Sequence, residues 1–343
     1  MGSRDGRSPA VVTGAAGWLG QNLVRALAPE REHVRCLVHA PGDAPLLEVV
    51  GSTVEVVVGD VRDPAAVDRL FEGVTAPTVF HAAAIIHPER RTRDLFDVNV
   101  GGTELLLDRA RRADAARVVH VSSNSPFGTN PTPSDRFTED SPPDPYLGYG
   151  QSKLEAEELV QRAHGRGDVG TVIIRAPWFY GPYQPARQTQ FFAAVRRGRF
   201  PLVGDGSQRR SMAYTGNLVD GLLRAEATEA AAGRAYWIAD AEPYELREIL
   251  AGVRTALEAE GLSVSPRQPR LPAAAAALAE AVDRALQGRG LYLQPAHVLG
   301  ELRHTIACDI SRARTELGYE PATGLVDGMR ASVRWCLERG EAL

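Results

Sequence analysis

Residues 10–20 read AVVTGAAGWLG: a short apolar, β-branched run and then three glycines, Gly14, Gly17 and Gly20, each separated by two residues. Few patterns restrict a fold more. The run reads as a strand buried on both faces, and the glycines as the turn that feeds it directly into a helix. Gly14 permits the tight turn, Gly17 lets the backbone approach a pyrophosphate, and Gly20 lets the helix lie close on the sheet. The helix N-terminus then faces the phosphates. A plain strand-to-helix turn is the alternative, and the rest of the chain decides between them.

Similar runs recur at 34–38 (VRCLV), 54–58 (VEVVV), 78–81 (TVFH), 117–122 (RVVHVS) and 171–175 (TVIIR), and 235–239 (AYWIA) is expected to join the same sheet. Helical patterns fall between them at about 19–28, 64–72, 92–112 and 149–164. This alternation predicts an α/β fold with a doubly wound parallel sheet, and it favours the dinucleotide reading of the glycine loop. After residue 176 the texture changes to Pro, Gly, aromatics and arginines, then to mostly helical sequence with an Ala-rich stretch at 272–281. The expected division is a loose tail at 1–9, a dinucleotide-binding unit of 10–176 plus about 216–240, and a smaller, mostly helical substrate lobe of 177–215 plus 241–343. The Ala-rich helix is expected to pack closely against something, as Ala is the best helix former.

A chain of 343 residues suits two unequal lobes. The net charge of −4 and the lack of a basic block give no reason to expect nucleic acid. Cys36, Cys308 and Cys336 are too scattered for a disulfide framework or a metal site. No apolar run is long enough to span a bilayer, and the polar N-terminus lacks the apolar core of a signal peptide. These features predict a cytoplasmic protein with no membrane partner and no metal.

The end of the second strand bears on which dinucleotide is bound. An acid there would favour NAD by binding the ribose 2′-hydroxyl. Here Val38 is followed by His39, and no acid comes before Asp43. Either His39, with Arg35 near it in sequence, faces a 2′-phosphate, or it is a solvated loop residue; the reading leans to NADP. Asp60 and Val61 end the third strand and are placed to meet the adenine. Ala82, Ala83 and Ala84 end the fourth, where backbone must pass close to a cofactor.

In YLGYGQSK, residues 146–153, Tyr149 and Lys153 are one helical turn apart. A neighbouring ammonium favours the phenolate of a tyrosine. Together with TGAAGWLG, VGDVRD at 58–63, HAAA at 81–84, VNVGGT at 98–103 and the serine-bearing strand end, in this order, the chain resembles the extended short-chain dehydrogenase/reductase superfamily. That group includes the NAD-dependent epimerase/dehydratase family and its 3β-hydroxysteroid dehydrogenase-like branch. The resemblance implies a Rossmann-type fold, a homodimer built on the helices at 92–112 and 149–164, and a nicotinamide cofactor, NAD or NADP. It implies Tyr149 as acid/base, Lys153 as its tuner and holder of the ribose, and Ser123 as hydrogen-bond donor to the substrate oxygen, with Ser122 as the fallback. It also puts Trp18, Leu19, Asn99 and Pro177 at the cofactor. Asn99 either supports the site through hydrogen bonds or satisfies a buried backbone group. His81 and His120 read as structural, and His87 as a substrate contact.

On the substrate side, sugar-nucleotide dehydratases place a carboxylate pair after the catalytic hydroxyl; Asn124 and Ser125 stand there instead, which argues against dehydration. Trp178 and Phe179 suggest a flat apolar substrate surface, or else a wedge between lobes. GDGSQRRSM at 204–212 resembles a segment whose arginine, here Arg210, clamps a substrate pyrophosphate. The Ala/Leu-rich insertion at 266–300 resembles the steroid branch, where such a segment lids an apolar pocket. The leading expectation is hydride transfer between nicotinamide and a bulky, partly apolar secondary alcohol or ketone. The alternative is an NDP-sugar 4-epimerase with tightly bound NAD.

Overall fold

The structure, a computed structural model, describes residues 8–343. The expected tail lies outside the described residues as far as residue 7. Pro9 is tied to the sheet, its carbonyl accepting from the Thr78 amide at 2.9 Å.

Seven strands form one parallel sheet: β1 (Ala10–Thr13), β2 (Val34–Val38), β3 (Val54–Val58), β4 (Thr78–His81), β5 (Arg117–Ser123), β6 (Thr171–Ala176) and β7 (Ala235–Trp237). Their spatial order is β7-β6-β5-β4-β1-β2-β3. The order reverses between β1 and β4, which opens a crevice at the carboxyl ends of these strands. The period of two along β1 shows how the sheet is covered on both sides. Ala10 and Val12 join a core with Leu19, Leu23 and Leu27 of helix α1 (Trp18–Leu27). Val11 joins a second core with Val67 and Leu70 of α2 (Pro64–Phe71) and with Leu106 of α3 (Gly102–Arg112). Helix α2 starts where it does because Asp63 caps it, accepting from the Ala65 amide at 3.0 Å, with Pro64 in its first turn.

The predicted helix at 92–112 is broken. A turn of α-helix at Arg93–Phe96 gives way to a π-helical stretch, Asp97–Gly101, before α3. The wider turn carries Asn99 inward, and such bulges often mark functional sites.

A third core joins Tyr180, Phe192, Met212, Leu250, Val253, Met329 and Val333. The segment from Ile306 to Tyr319, which the sequence division assigns to the second lobe, packs into the first core with Trp237 and Leu218. The Ala-rich helix packs along one side only. Only Ala276, Glu280 and Asp283 of α4 (Ala273–Gln287) are buried, and Leu278 is 67% exposed. The packing falls to its short polar stripe, which meets the next helix, α5 (Gln294–Glu301), where a Cβ on Gly300 would lie 2.8 Å from the Glu280 Cα.

Candidate active site

The glycine loop closes as its spacing demands. Gly14 has φ +67°, and a Cβ there would meet the Ala82 carbonyl carbon at 2.7 Å. A Cβ on Gly20 would lie 2.1 Å from the Gly14 oxygen. The first N–H groups of α1 have no intrahelical partner, and the loop just before them lines a cavity of about 570 Å³ together with Asp60, Val61, Ala83 and Ala84, among others. This cradle, which closes only because Gly14 carries no Cβ to meet the Ala82–Ala83 backbone, fits a dinucleotide. Two predicted contacts fit less well. Leu19 is buried in the core, so only its backbone is available. The Trp18 indole donates to the Gly181 and Pro182 carbonyls, both at 3.1 Å, and so staples the loop to a later segment. Pro177 is buried just after β6.

His39 and Asp60 share one wall of the cavity, with His39 Nδ1 3.7 Å from Asp60 Oδ2. Arg62 grips Asp60 through Nη2 at 2.6 Å and Nε at 2.9 Å. That hydrogen bonding holds the Asp60 carboxyl below the usual range, against the opposing effect of burial. Arg35 is not beside His39. Its guanidinium pairs with Glu55 on the neighbouring strand at 2.7 Å and with the Glu72 carbonyl, so it cannot serve a 2′-phosphate.

Two polar strings run from the cavity wall, one of them to the helix that bears Tyr149, Leu147–Gly165. In the first, the buried Asn99 amide accepts from Ile85 N at 2.9 Å and donates to Ile85 O and to Ser152 Oγ, each at 3.0 Å. Ser152 in turn donates to the Tyr149 carbonyl at 2.9 Å. Both N–H donors of Asn99 are thus spent within the protein, and the side chain positions the wall. In the second string, the Thr103 hydroxyl donates to the Asn99 carbonyl at 2.6 Å. It must therefore accept from His81 Nε2 at 2.9 Å, which leaves Nδ1 to accept from the Thr13 hydroxyl at 2.7 Å. Thr13 Oγ1 finally accepts from Ala83 N at 3.3 Å. Burial, with Lys153 nearby, pushes His81 down to about 3, so it is neutral.

Tyr149 and Ser123 come together as expected. A Cβ on Gly150 would lie 2.4 Å from the Ser125 carbonyl, so glycine there lets the helix reach the β5 end. Ser123 Oγ accepts from the Ser125 amide at 3.3 Å and faces the Tyr149 hydroxyl. Burial pushes the Tyr149 phenol up to about 12; the Ser123 hydroxyl pulls it back, Glu301 raises it further, and Arg187 lowers it. Ser122, the fallback, is turned away with its hydroxyl buried and unpartnered. Asn124 is half-buried at the start of the turn after β5.

Lys153 is 2% exposed and does not reach for the tyrosine. Its Nζ donates to the Val121 carbonyl at 2.8 Å and lies 3.3 Å from His120 Nε2. Burial brings the ammonium down to about 8, opposed by Glu157 one turn on. The groups that shift the Tyr149 phenol in this structure are Ser123, Glu301 and Arg187, while the Lys153 ammonium is turned to the Val121 carbonyl and His120. His120 itself is held well below its usual value by burial, then by Lys153 and His81. Sequence reading sets it aside as structural, although an imidazole inside an otherwise apolar strand is a usable signal.

The opposite wall is assembled from distant segments. His87 lines the cavity and hydrogen-bonds through Nδ1 to the Tyr292 hydroxyl. Burial drives it down to about 4, with help from Arg187 and His297. Gln287, at the end of α4, accepts from the Gly148 amide at 3.1 Å, which sets the insertion over the Tyr149 turn. Arg187, near the start of the helix Ala186–Arg196, acts electrostatically on Tyr149, His87 and Tyr292; no motif singles it out. Arg210 is not a free clamp. Its Nη1 pairs with the Glu301 carboxylate at 3.1 Å and its Nη2 bonds the Glu301 carbonyl. Trp178 and Phe179 are likewise occupied. Trp178 packs edge-on to Phe191 at 5.6 Å and Phe179 on Trp18 at 4.9 Å, which is the wedge arrangement.

The sequence profile of the NAD dependent epimerase/dehydratase family matches residues 10–239, and the chain belongs to that family. It is an NAD-dependent enzyme of the extended short-chain class. An uncharacterised protein of Sinorhizobium fredii is 42% identical, covering 97% of this chain and 96% of its own. A 4-hydroxy-2-methyl-3-oxo-4-farnesyl-3,4-dihydroquinoline-1-oxide ketoreductase of Stigmatella aurantiaca is 33% identical over 90% of both chains. A 3β-hydroxysteroid dehydrogenase/Δ5→4-isomerase of Mycobacterium tuberculosis is 32% identical, covering 91% of this chain and 85% of its own. Among solved structures, the dTDP-glucose 4,6-dehydratase DesIV of Streptomyces venezuelae, crystallised with NAD, superimposes with a TM-score of 0.75 at 25% identity, covering 97% and 98% of the two chains.

Proposed function

We propose that this enzyme moves a hydride between a nicotinamide and the secondary alcohol or ketone carbon of a bulky, partly apolar small molecule. The observation that carries this choice over an NDP-sugar is the Arg210–Glu301 pair: the arginine that the sequence offers as a pyrophosphate clamp already has its carboxylate. The farnesylated quinoline ketone named for one relative and the hydroxysteroid named for another are of the proposed kind.

A bound nicotinamide would supply the hydride at C4. Tyr149, protonated at neutral pH because burial raises it, donates its proton to the carbonyl oxygen in the reductive direction. Ser123 donates to the same oxygen as charge builds there. An ammonium has three donors; Lys153 directs one to Val121 and one to His120, and keeps the third for the ribose hydroxyls. Gly14, Gly17 and the α1 N-terminus take the pyrophosphate, and the exposed His39 faces a 2′-phosphate if NADP is the cofactor. Residues 10–176 with about 216–240 form the cofactor unit, to which 306–319 also packs. The chain pairs as a homodimer through α3 and the Tyr149 helix; a monomeric mass by light scattering at micromolar concentration would refute that pairing.

The test is the nucleotide carried by the purified protein. Denaturation and mass spectrometry should find none retained, with added NADH or NADPH binding reversibly. Retained NAD would instead favour an NDP-sugar 4-epimerase, whose cycle must keep its hydride.

A further inference from the structure

The large apolar side chains exposed on the described surface are not scattered. Leu278, Val282, Leu291, Leu293 and Val298 are exposed by 67, 43, 48, 45 and 37%, and all five lie on one hairpin, α4 to α5, whereas Val49, Val326 and Leu337 stand elsewhere. The hairpin's charges are sorted as well. Its two acids before Glu301 are turned inward: Asp283, fully buried, binds His297 at 2.8 Å, and Glu280 binds Arg303 at 2.8 Å and His304 at 2.9 Å. Arg289 stays outside, and Arg284, also exposed, reaches back to Glu280 at 3.4 Å. Exposed Arg90 and Arg91 stand beside Leu291, since Tyr292 N donates to the Arg90 carbonyl at 3.0 Å and Thr92 N to the Gly290 carbonyl at 3.1 Å; Glu89 is the exposed acid next to them. An apolar strip with an arginine collar therefore sits on a chain whose net charge is −4.

We propose that this hairpin docks the enzyme on the surface of an anionic lipid bilayer, with Leu278, Val282, Leu291, Leu293 and Val298 entering the acyl boundary and the arginines meeting lipid phosphates. A second copy of the chain suits the face poorly. A two-fold contact sets a patch against itself, which would bring the arginine collars together with their acids already buried. No helix among the described residues is long and apolar enough to cross a membrane, so the contact is superficial. The same hairpin touches Gly148 through Gln287 and His87 through Tyr292, so its inner face roofs the Tyr149 cleft while its outer face meets lipid. An apolar ligand dissolved in the bilayer would enter without crossing water. Docking does not depend on the hydride-transfer reading, because it is measured without substrate.

The experiment is co-sedimentation of the full-length protein with vesicles of phosphatidylcholine alone and of phosphatidylcholine with an equal part of phosphatidylglycerol. Binding is expected to the anionic vesicles and to weaken in high salt. The double variant Leu278→Asp/Leu291→Asp should bind at least about tenfold more weakly, and Arg284→Gln/Arg289→Gln should lose the preference for anionic lipid. All these positions are exposed, so an unchanged thermal midpoint confirms that the fold is intact. Wild-type protein that stays in solution with anionic vesicles overturns the proposal. So does a wild-type oligomer that Leu278→Asp/Leu291→Asp dissociates without any vesicle binding, which would assign the face to a second copy.

Discussion

One wall of the cleft, formed by Gly14, the Ala82–Ile85 turn and Asn99, is built almost wholly from neighbours in the first 153 residues, with its polar atoms passed along two strings of hydrogen bonds. The other, formed by His87, Arg187, Arg210, Tyr292 and Glu301, draws on four separate stretches of chain. The first wall is shaped by backbone closeness: a hydrogen in place of a Cβ at Gly14, an amide that closes on Ile85. The second is shaped by who neutralises whom. The contrast teaches that a motif holds its meaning when its partners are local, and can lose it when a distant insertion supplies a new partner, as Glu301 does for Arg210.

The largest expected effect sharpens the contrast at the point where the walls meet. Tyr149→Phe should lower turnover by about 10²–10⁴-fold, the usual worth of a general acid, while nucleotide affinity measured by fluorescence stays unchanged. Turnover near wild type would remove Tyr149 from the mechanism.

The next effect is on stability. Arg175 and Glu157 form a buried pair at 2.8 Å that ties β6 to the Tyr149 helix. Arg175→Met strands the carboxylate and should cost about 3–5 kcal/mol in urea unfolding. Arg175→Met combined with Glu157→Leu should recover much of that loss, and a double variant as unstable as the single one would contradict the pairing argument.

Gly20→Ala tests the first wall directly. The added methyl meets the Gly14 oxygen, so the loop must shift and nucleotide binding should weaken by about tenfold or more, at an overpacking cost of about 1–3 kcal/mol. On the second wall, Arg210→Leu should leave nucleotide binding and Ser123–Tyr149 chemistry largely in place. It should destabilise the protein modestly, because Glu301 loses its partner. Loss of binding to an NDP-sugar on the same substitution would restore the clamp reading.

The smallest effect is a pH dependence. Lys153 titrates at about 8 in the folded chain and at about 10.4 when unfolded. Between these values the unfolded chain holds more protons, so this group makes stability rise with pH from about 8 to 10.4; below 8 its buried charge is a constant cost. Activity that needs the ammonium should fall above pH 8, and Glu157→Gln, which removes the opposing charge, should move that limb lower.

The fold was legible in the sequence to within a residue or two per strand, because each buried strand announces itself as an apolar run bounded by turn residues. The pairing of Ser123 with Tyr149 was legible for a related reason, as a motif fixes both on one strand end and one helix turn. The π-helical turn around Asn99 was not, since VNVGG carries no local signal against an ordinary helix. Arg35 was misplaced because sequence proximity to His39 ignores the alternation of a strand, which sends it to Glu55. Phe179 and Arg210 were hard to place for the reason the two walls differ: their partners Trp18 and Glu301 lie far away in sequence. The outward face of α4 was hidden by composition, because an Ala-rich helix looks the same whether it packs on protein or waits for lipid.

The most direct test of the central claim tracks the hydride itself. Apolar cyclic ketones are incubated with the enzyme and with NADH or NADPH deuterated at C4, and the products are analysed by mass spectrometry. Hydride transfer to a released alcohol predicts one deuterium on its carbinol carbon, absent with Tyr149→Phe. Unlabelled ketones throughout, with an NDP-sugar inverted at C4 by protein that keeps its own NAD, would contradict the account.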